Sequence, residues 1–432
     1  MIHARYTYPI LTYCLLSLLS GSVVAQTNWD QFRGPEGNGH IEAPHLPTTW
    51  SEDKNVVWKT AIHDRGWSSP VVWDDQVWVT TAKLDGTKLY AVCLNKMTGK
   101  IIHDKHLFDV ENAQRIAADN SYATPTSVID EKHVYVHYGT YGTACLHRKT
   151  AEVLWTRRDL NCDHEVGAGP ASSPMLFGEL FIVNVDGRDV QYVSALNKNT
   201  GKTVWKTTRS ADFTDVPVNK RKAYSMPSLI QHNGQLQLVS NGAQGCYAYD
   251  PETGDELWKI KHHGFSNAPR PVAGHGLLFT TVDRDNPQLW AIRLGGKGDV
   301  SDSHIAWKET AAMPPRCSPL LVDDLLYLIN RLGIITCLEA KSGKQVWRSR
   351  LPGSYSASPI YANDRIYVFN EDATAFLLKP GRKFQITQEN RLAQGILVAT
   401  PAVSDRALFI RTENHVYRVE RPEIDSRQPC QP

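Results

Sequence analysis

The chain has 432 residues and carries 47 Lys and Arg against 45 Asp and Glu, leaving a net charge close to zero. That balance argues against a general binder of nucleic acid or other polyanions, which needs a basic face. Twelve Trp with 29 Gly and 24 Pro fit an all-β protein with many tight turns.

Residues 1–25 read as an export signal. Arg5 supplies the positive start, Ile10 to Leu19 form an apolar run too short to span a bilayer, and Val23-Val24-Ala25 is a small-residue cleavage site. A periplasmic or secreted product cleaved after Ala25 is expected. Leu19-Ser20-Gly21-Ser22 places Ser22 where a lipoprotein box carries its acylated Cys, and Cys14 lies too far upstream to replace it, so no lipid anchor is expected. No later apolar run is long enough for a transmembrane segment.

Residues 26–55 form an N-terminal segment, 56–421 a repeat region and 422–432 a C-terminal tail. The repeated phrase is fullest at Ala195-Leu196-Asn197-Lys198-Asn199-Thr200-Gly201-Lys202-Thr203-Val204-Trp205 and again from Ala248 to Trp258. Looser copies end at Trp347, which keeps the Gly, and at Trp155, which has lost it. Each copy predicts a hairpin. An apolar strand ends in Asp or Asn, Thr-Gly supplies the positive φ of the turn, and the return strand carries a Trp that packs on a neighbouring unit. Recurrence about every 40 to 55 residues is the mark of a propeller.

Small-residue-Pro steps open the units at Pro70, Pro125, Pro174, Pro227, Pro271, Pro319, Pro359 and Pro401, which makes eight. The Trp strands give the same count. Trp155, Trp205, Trp258, Trp307 and Trp347 close five units, and the strands near Ile101 and Ile386 close two without a Trp. The eighth runs out after His415 to Val419, while Val56-Val57-Trp58-Lys59 has no unit of its own. The expected fold is therefore an all-β, eight-bladed β-propeller of four-stranded antiparallel blades, its ring closed by the N-terminal strand.

The phrase Ala-x-Asp-x-x-Thr-Gly-x-x-x-Trp resembles the tryptophan-docking repeat of the pyrroloquinoline quinone (PQQ) propeller superfamily, over nearly the whole chain after residue 25. The stretch from Trp29 to Gly39, with Leu46 to Trp50 and Gly66 to Pro70, resembles the start of many secreted PQQ-like propellers. One branch comprises quinoprotein alcohol dehydrogenases, in which PQQ lies between a Trp and a disulfide of adjacent cysteines, beside Ca²⁺ held by Glu, Asn and Asp. This chain has no adjacent cysteines and lacks the large insertions of those enzymes. The other branch resembles the propeller lipoprotein of the outer-membrane β-barrel assembly machinery, which binds partner proteins and carries no PQQ.

The resemblance and the missing motifs together imply an exported, non-catalytic binding or scaffolding module for a protein or polysaccharide of the cell envelope, with no cofactor or metal expected. The alternative is a PQQ- and calcium-dependent alcohol or sugar dehydrogenase. The candidate binding residues precede the Pro steps: Trp67, Tyr122, Tyr224, Arg270, Arg316 and Tyr355. Aromatic and Arg side chains on one rim suit a sugar, a quinone or a peptide.

Cys93, Cys145 and Cys337 fall where Ala195 and Ala248 sit in sister units and read as small buried residues. A disulfide between Cys162 and Cys317 stays open, as does a metal site at Cys162-Asp163-His164-Glu165, which has no second ligand cluster. His262-His263 is expected to be a solvated loop and Lys220-Arg221-Lys222 an exposed turn, while Asp283-Arg284-Asp285-Asn286 lacks the Gly and the distant Glu of a calcium loop.

Overall fold

A computed structural model describes residues 28–43, 45–164, 167–392 and 395–422. The expected signal peptide, Cys14, Glu165, Cys430 and nearly all of the C-terminal tail lie outside the described residues. The strands form eight sheets, one per expected unit. Blade 1 comprises Val71–Trp73, Gln76–Ala82, Lys88–Asn95 and Ile101–Asp109, ordered from the axis outward. Blades 2 to 7 follow in chain order over residues 128–157, 175–208, 228–261, 272–309, 320–350 and 360–391. Blade 8 takes three strands from 402–420 and its fourth from Val56–Ala61, which pairs antiparallel with His415–Glu420 and closes the ring. Blade position explains the sequence pattern. The second strand of blade 1 is buried throughout, because blades pack on both of its faces, whereas the outer strand Thr203–Thr208 alternates and buries Trp205.

The outer-strand Trp residues, Trp258 excepted, dock on the next blade. The indole N–H groups of Trp155, Trp205, Trp307 and Trp347 donate to the carbonyls of Lys198, Pro251, Ala340 and Gly381, all in the following blade's outer turn. Trp58, on the swapped strand, does the same to Lys96 of blade 1. The turn Gly lies flat under the ring: at Gly254, φ is +77° and an added Cβ would sit 2.5 Å from Trp205. Trp and Gly are lost together. Blade 1 has His103 at the Trp position, opposite Cys93; its Nε2 lies 3.0 Å from the Lys149 carbonyl, and the turn beneath carries Ala151 at φ 54°. The smaller imidazole leaves room for that methyl group.

Trp258 departs from the expected docking. Blade 5 has the excursion Leu294 to His304 in place of a Thr-Gly turn, and its strand Gly298–Asp299 pairs with Trp258 and Lys259 along the edge of blade 4. Trp258 is buried there and donates within its own blade to Gln237 Oε1, at 2.9 Å.

The Pro steps have a second role. Thr400 N–H donates to Ser69 Oγ, Ser69 N–H to Thr126 Oγ1, and Thr126 N–H to Ser173 Oγ. Arg270, Ser318 and Ser358 donate likewise to Ser318, Ser358 and Thr400. Ser225 and Ser228 span the gap by donating to the Pro269 and Pro271 carbonyls. A belt of hydroxyl groups thus ties blade to blade around the axis.

The N-terminal segment crosses the channel beneath that belt. Trp29 exchanges backbone hydrogen bonds with Val72 of blade 1, and the Asp30 carbonyl accepts from Ile129 of blade 2. On the far side Arg270 of blade 5 donates to the Phe32 carbonyl at 2.9 Å, and His40–Ile41 adds a parallel strand to Tyr361–Ala362 of blade 7. Gly37 lies against the Arg270 guanidinium, 1.7 Å from where a Cβ would stand. The chain then passes blade 7, where Trp50 N–H donates to Asn390 Oδ1, and enters blade 8 as its outer strand.

Two predictions follow from these contacts. Gly254→Ala should cost about 2–4 kcal/mol in urea unfolding, from a left-handed φ and a clash with Trp205, whereas Ala151→Gly should gain about 1 kcal/mol. Burial pushes the Asp30 carboxyl up to about 6, against a lowering by its own backbone and Arg270. The folded chain then takes up this proton before the unfolded chain does, so acidification from pH 7 towards 4 stabilises the fold through Asp30. Asp30→Asn should raise stability at pH 7 by about 2 kcal/mol and flatten the profile in that window.

Candidate functional site

The axial channel widens on the face opposite the turns between first and second strands. A cavity of about 830 Å³ lies there, and all eight connections from one blade's outer strand to the next blade's inner strand contribute to it. The loops joining second and third strands share this face, and those of blades 5 and 6 add Arg284 and Arg331. One register dominates. The residue three before each strand-opening Pro is Trp67, Tyr122, Ala171, Tyr224, Ala268, Arg316, Ser356 or Val398, and every one except Tyr122 lines the cavity.

That register sorts the six candidates. Trp67, Tyr224 and Arg316 occupy it and reach the cavity. Tyr122 occupies it but turns away into inter-blade packing, where its hydroxyl donates to the Gln114 carbonyl and its ring meets Tyr141 edge-on. Arg270, one residue before its Pro, points below the belt to the crossing segment. Tyr355, four before, is fully buried and donates to the Pro352 carbonyl. The same register, applied to every blade, would have found Ala171, Ala268, Ser356 and Val398. Arg115, Arg284 and Arg331 carry no such signal.

Four arginines line the cavity, Arg115, Arg284, Arg316 and Arg331, against one carboxylate, Asp119. Asp119 sits on the long connection between blades 1 and 2. Its Oδ2 lies 2.9 Å from Arg316 Nη2 and 3.8 Å from Arg331 Nη2. Arg316 belongs to the connection between blades 5 and 6, so the ion pair spans the mouth along a diameter. Burial alone would raise the Asp119 carboxyl; the bond to Arg316 and the two guanidinium charges outweigh it and hold the group below its usual value. The strap is anchored on the near side, where Trp67 Nε1 and Arg65 Nη1 donate to the Asp119 and Ala118 carbonyls.

Several expectations are corrected. Cys162 and Cys317 are both free thiols, without the bond left open from sequence. Cys162 Sγ is 3.4 Å from His164 Nε2, but no group of three or more His, Cys, Asp and Glu converges as a metal site among the described residues. Burial pushes His164 down to about 4. His262 is not solvated: it is buried, accepts from the Gly264 N–H, and is pushed by burial down to about 3. Lys222 of the basic triplet is buried as well.

The quinone-enzyme donor set does not fit. Asp119 is held by two guanidinium groups, and Asn120 is spent on Ala168 and Thr124. No cysteine lines the cavity, so among the described residues nothing there supplies a Glu-Asn-Asp set for Ca²⁺ or a vicinal disulfide.

The ring, its docked tryptophans and its axial cavity define an eight-bladed propeller, the fold that the resemblance to PQQ-like repeats implied. The family model described as outer membrane protein assembly factor BamB matches residues 247–379. Among curated proteins, a tetrathionate hydrolase of Acidithiobacillus ferrooxidans is 22% identical over 52% of this chain and 47% of its own length. The outer membrane protein assembly factor BamB of Legionella pneumophila is 22% identical over 47% of this chain and 49% of its own. A quinoprotein ethanol dehydrogenase of Pseudomonas putida is 32% identical over 37% of this chain and 26% of its own. The chain thus spans about half or less of the length of these relatives. In solved structures, BamB from Moraxella catarrhalis superposes with TM-score 0.58 at 14% identity, covering 84% of this chain and 99% of that one. Quinohemoprotein alcohol dehydrogenase from Comamonas testosteroni gives 0.66 at 10% identity, covering 94% and 82%. At such identities the likeness shows the fold alone.

Proposed function

We propose that this chain is an exported, non-catalytic binding propeller whose mouth recognises a protein partner of the cell envelope, without PQQ or metal. The observation that carries the reading is the mouth itself. Eight connections converge on a cavity walled by Trp67, Tyr224 and small side chains and rimmed by arginines, and its one lining carboxylate, Asp119, is held by Arg316 and Arg331. The similarity to assembly factors named BamB supports a partner-binding role, and the missing donor set weighs against the oxidoreductase activity named for the Pseudomonas relative. Among the described residues no helix is long and apolar enough to cross a membrane.

The test has two arms. A photo-crosslinking residue at Ser356, in the mouth, should trap one defined envelope protein in the source cell, while the same residue at Glu179 on the opposite face should not. Calorimetric titration with PQQ and Ca²⁺, followed by a dye-linked assay on alcohols and sugars, should give neither calcium-dependent heat nor turnover. Turnover would make the chain a quinoprotein; crosslinking to polysaccharide alone would make it a glycan binder.

A further inference from the structure

The strap between blades 1 and 2 ends in a carboxylate that fills a site built by residues from the other side of the ring. Arg316 and Arg331 come from separate loops of blades 5 and 6, yet both point at Asp119 Oδ2. Arg316 also lies 3.5 Å from Ser356 Oγ, a neutral polar group on the same wall. All three ionised side chains are about half exposed, so the pair is weakly held and open to exchange. Arg115, on the strap itself, has no ion-pair partner among the described residues, and Arg284, paired with Asp285, completes the rim. Below the guanidinium groups the wall turns apolar, with Trp67, Ile116, Pro315 and Val398.

We propose that the mouth binds a carboxylate carried beside an apolar group, and that Asp119 is its resident stand-in. The incoming carboxylate takes the guanidinium fork of Arg316 and Arg331, Asp119 is released, and the apolar body packs against Trp67 and Val398. A planar fork matches a carboxylate in two parallel hydrogen bonds, which a lone rim charge cannot do. The near anchors of the strap stay in place, so displacement is confined to its tip. Because the incoming apolar body packs against Trp67, binding is reported by the Trp67 indole. This inference rests on the mouth being the binding face. The carboxylate can come from a free aromatic acid or from an acidic residue of a polypeptide beside an apolar one.

The test titrates the full chain with isophthalate in one arm and a peptide of alternating Glu and Phe in the other, read by calorimetry and by the Trp67 fluorescence difference against Trp67→Phe. Saturable binding is expected in at least one arm, and the tighter arm identifies the source. Arg316→Gln and Arg331→Gln should each weaken binding about tenfold, with Arg316→Lys restoring only part of it. Asp119→Asn should tighten it about three- to fivefold, the reverse of what loss of a merely structural residue would do. Absence of binding in both arms, binding indifferent to Arg316→Gln, or weaker binding by Asp119→Asn would each overturn the proposal. Mouth crosslinking to a protein would survive that failure, and calcium-dependent turnover would remove the non-catalytic reading while leaving carboxylate exchange intact.

Discussion

The structure depends on how one blade holds the next. An isolated four-stranded sheet with two apolar faces is not stable in water, so all the stabilisation of a propeller is shared across its interfaces. Here two kinds of contact do this at different radii. Near the rim an indole lies over a turn and donates to one of its carbonyls, as Trp205 does over Gly254. Near the axis, Ser and Thr hydroxyl groups accept the backbone N–H of the neighbouring blade. The outer contact demands a residue without a Cβ and the inner one a short hydroxyl, which is why Thr-Gly and Ser-Pro recur in the chain at all.

The same logic explains the places where the pattern fails. Where the turn is gone, as in blade 5, Trp258 turns to its own blade and a short parallel strand covers the exposed edge. Where the Trp is gone, as at His103, the Gly becomes Ala151. Each exception changes both sides of one contact together. The unit of this fold is thus the interface rather than the blade, and the closing interface is supplied by residues from opposite ends of the chain at Trp58 and Arg418.

The sequence made the ring legible because its signals are local. A Pro step, a Thr-Gly turn and a Trp four residues after the Gly can be counted without knowing what touches what, and the unpartnered strand at Val56 followed from that count. The site was only partly legible. Trp67, Tyr224 and Arg316 share one register before their Pro, and that register faces the axis. Tyr355 stood out by residue type but sits one residue farther from its Pro, and in an extended segment a one-residue shift reverses the side chain; Arg270 sits two residues nearer, below the belt, where it meets the crossing segment. Arg331 and Asp119 escaped because what joins them is the ring geometry, which brings a strap from blade 1 to loops about half-way round the ring.

The N-terminal segment ties these features into one device. It fills the channel below the belt with Trp29, Arg33 and Gly37 and buries Arg270 as its bridge to blade 5. A propeller axis left open would pass water from face to face, and the segment that crosses it below the belt obstructs that path beneath the cavity. The register ring gives that cavity two unlike sides, aromatic where Trp67 and Tyr224 stand and small or cationic from Ala268 through Arg316 to Ser356. A carboxylate of the chain's own, Asp119, occupies the cationic side. A ring that needed only rigidity would have no use for two arginines brought from the far side onto one partly solvated acid, because such pairs contribute little to stability. Their placement makes physical sense as a site whose charge is balanced until something binds there.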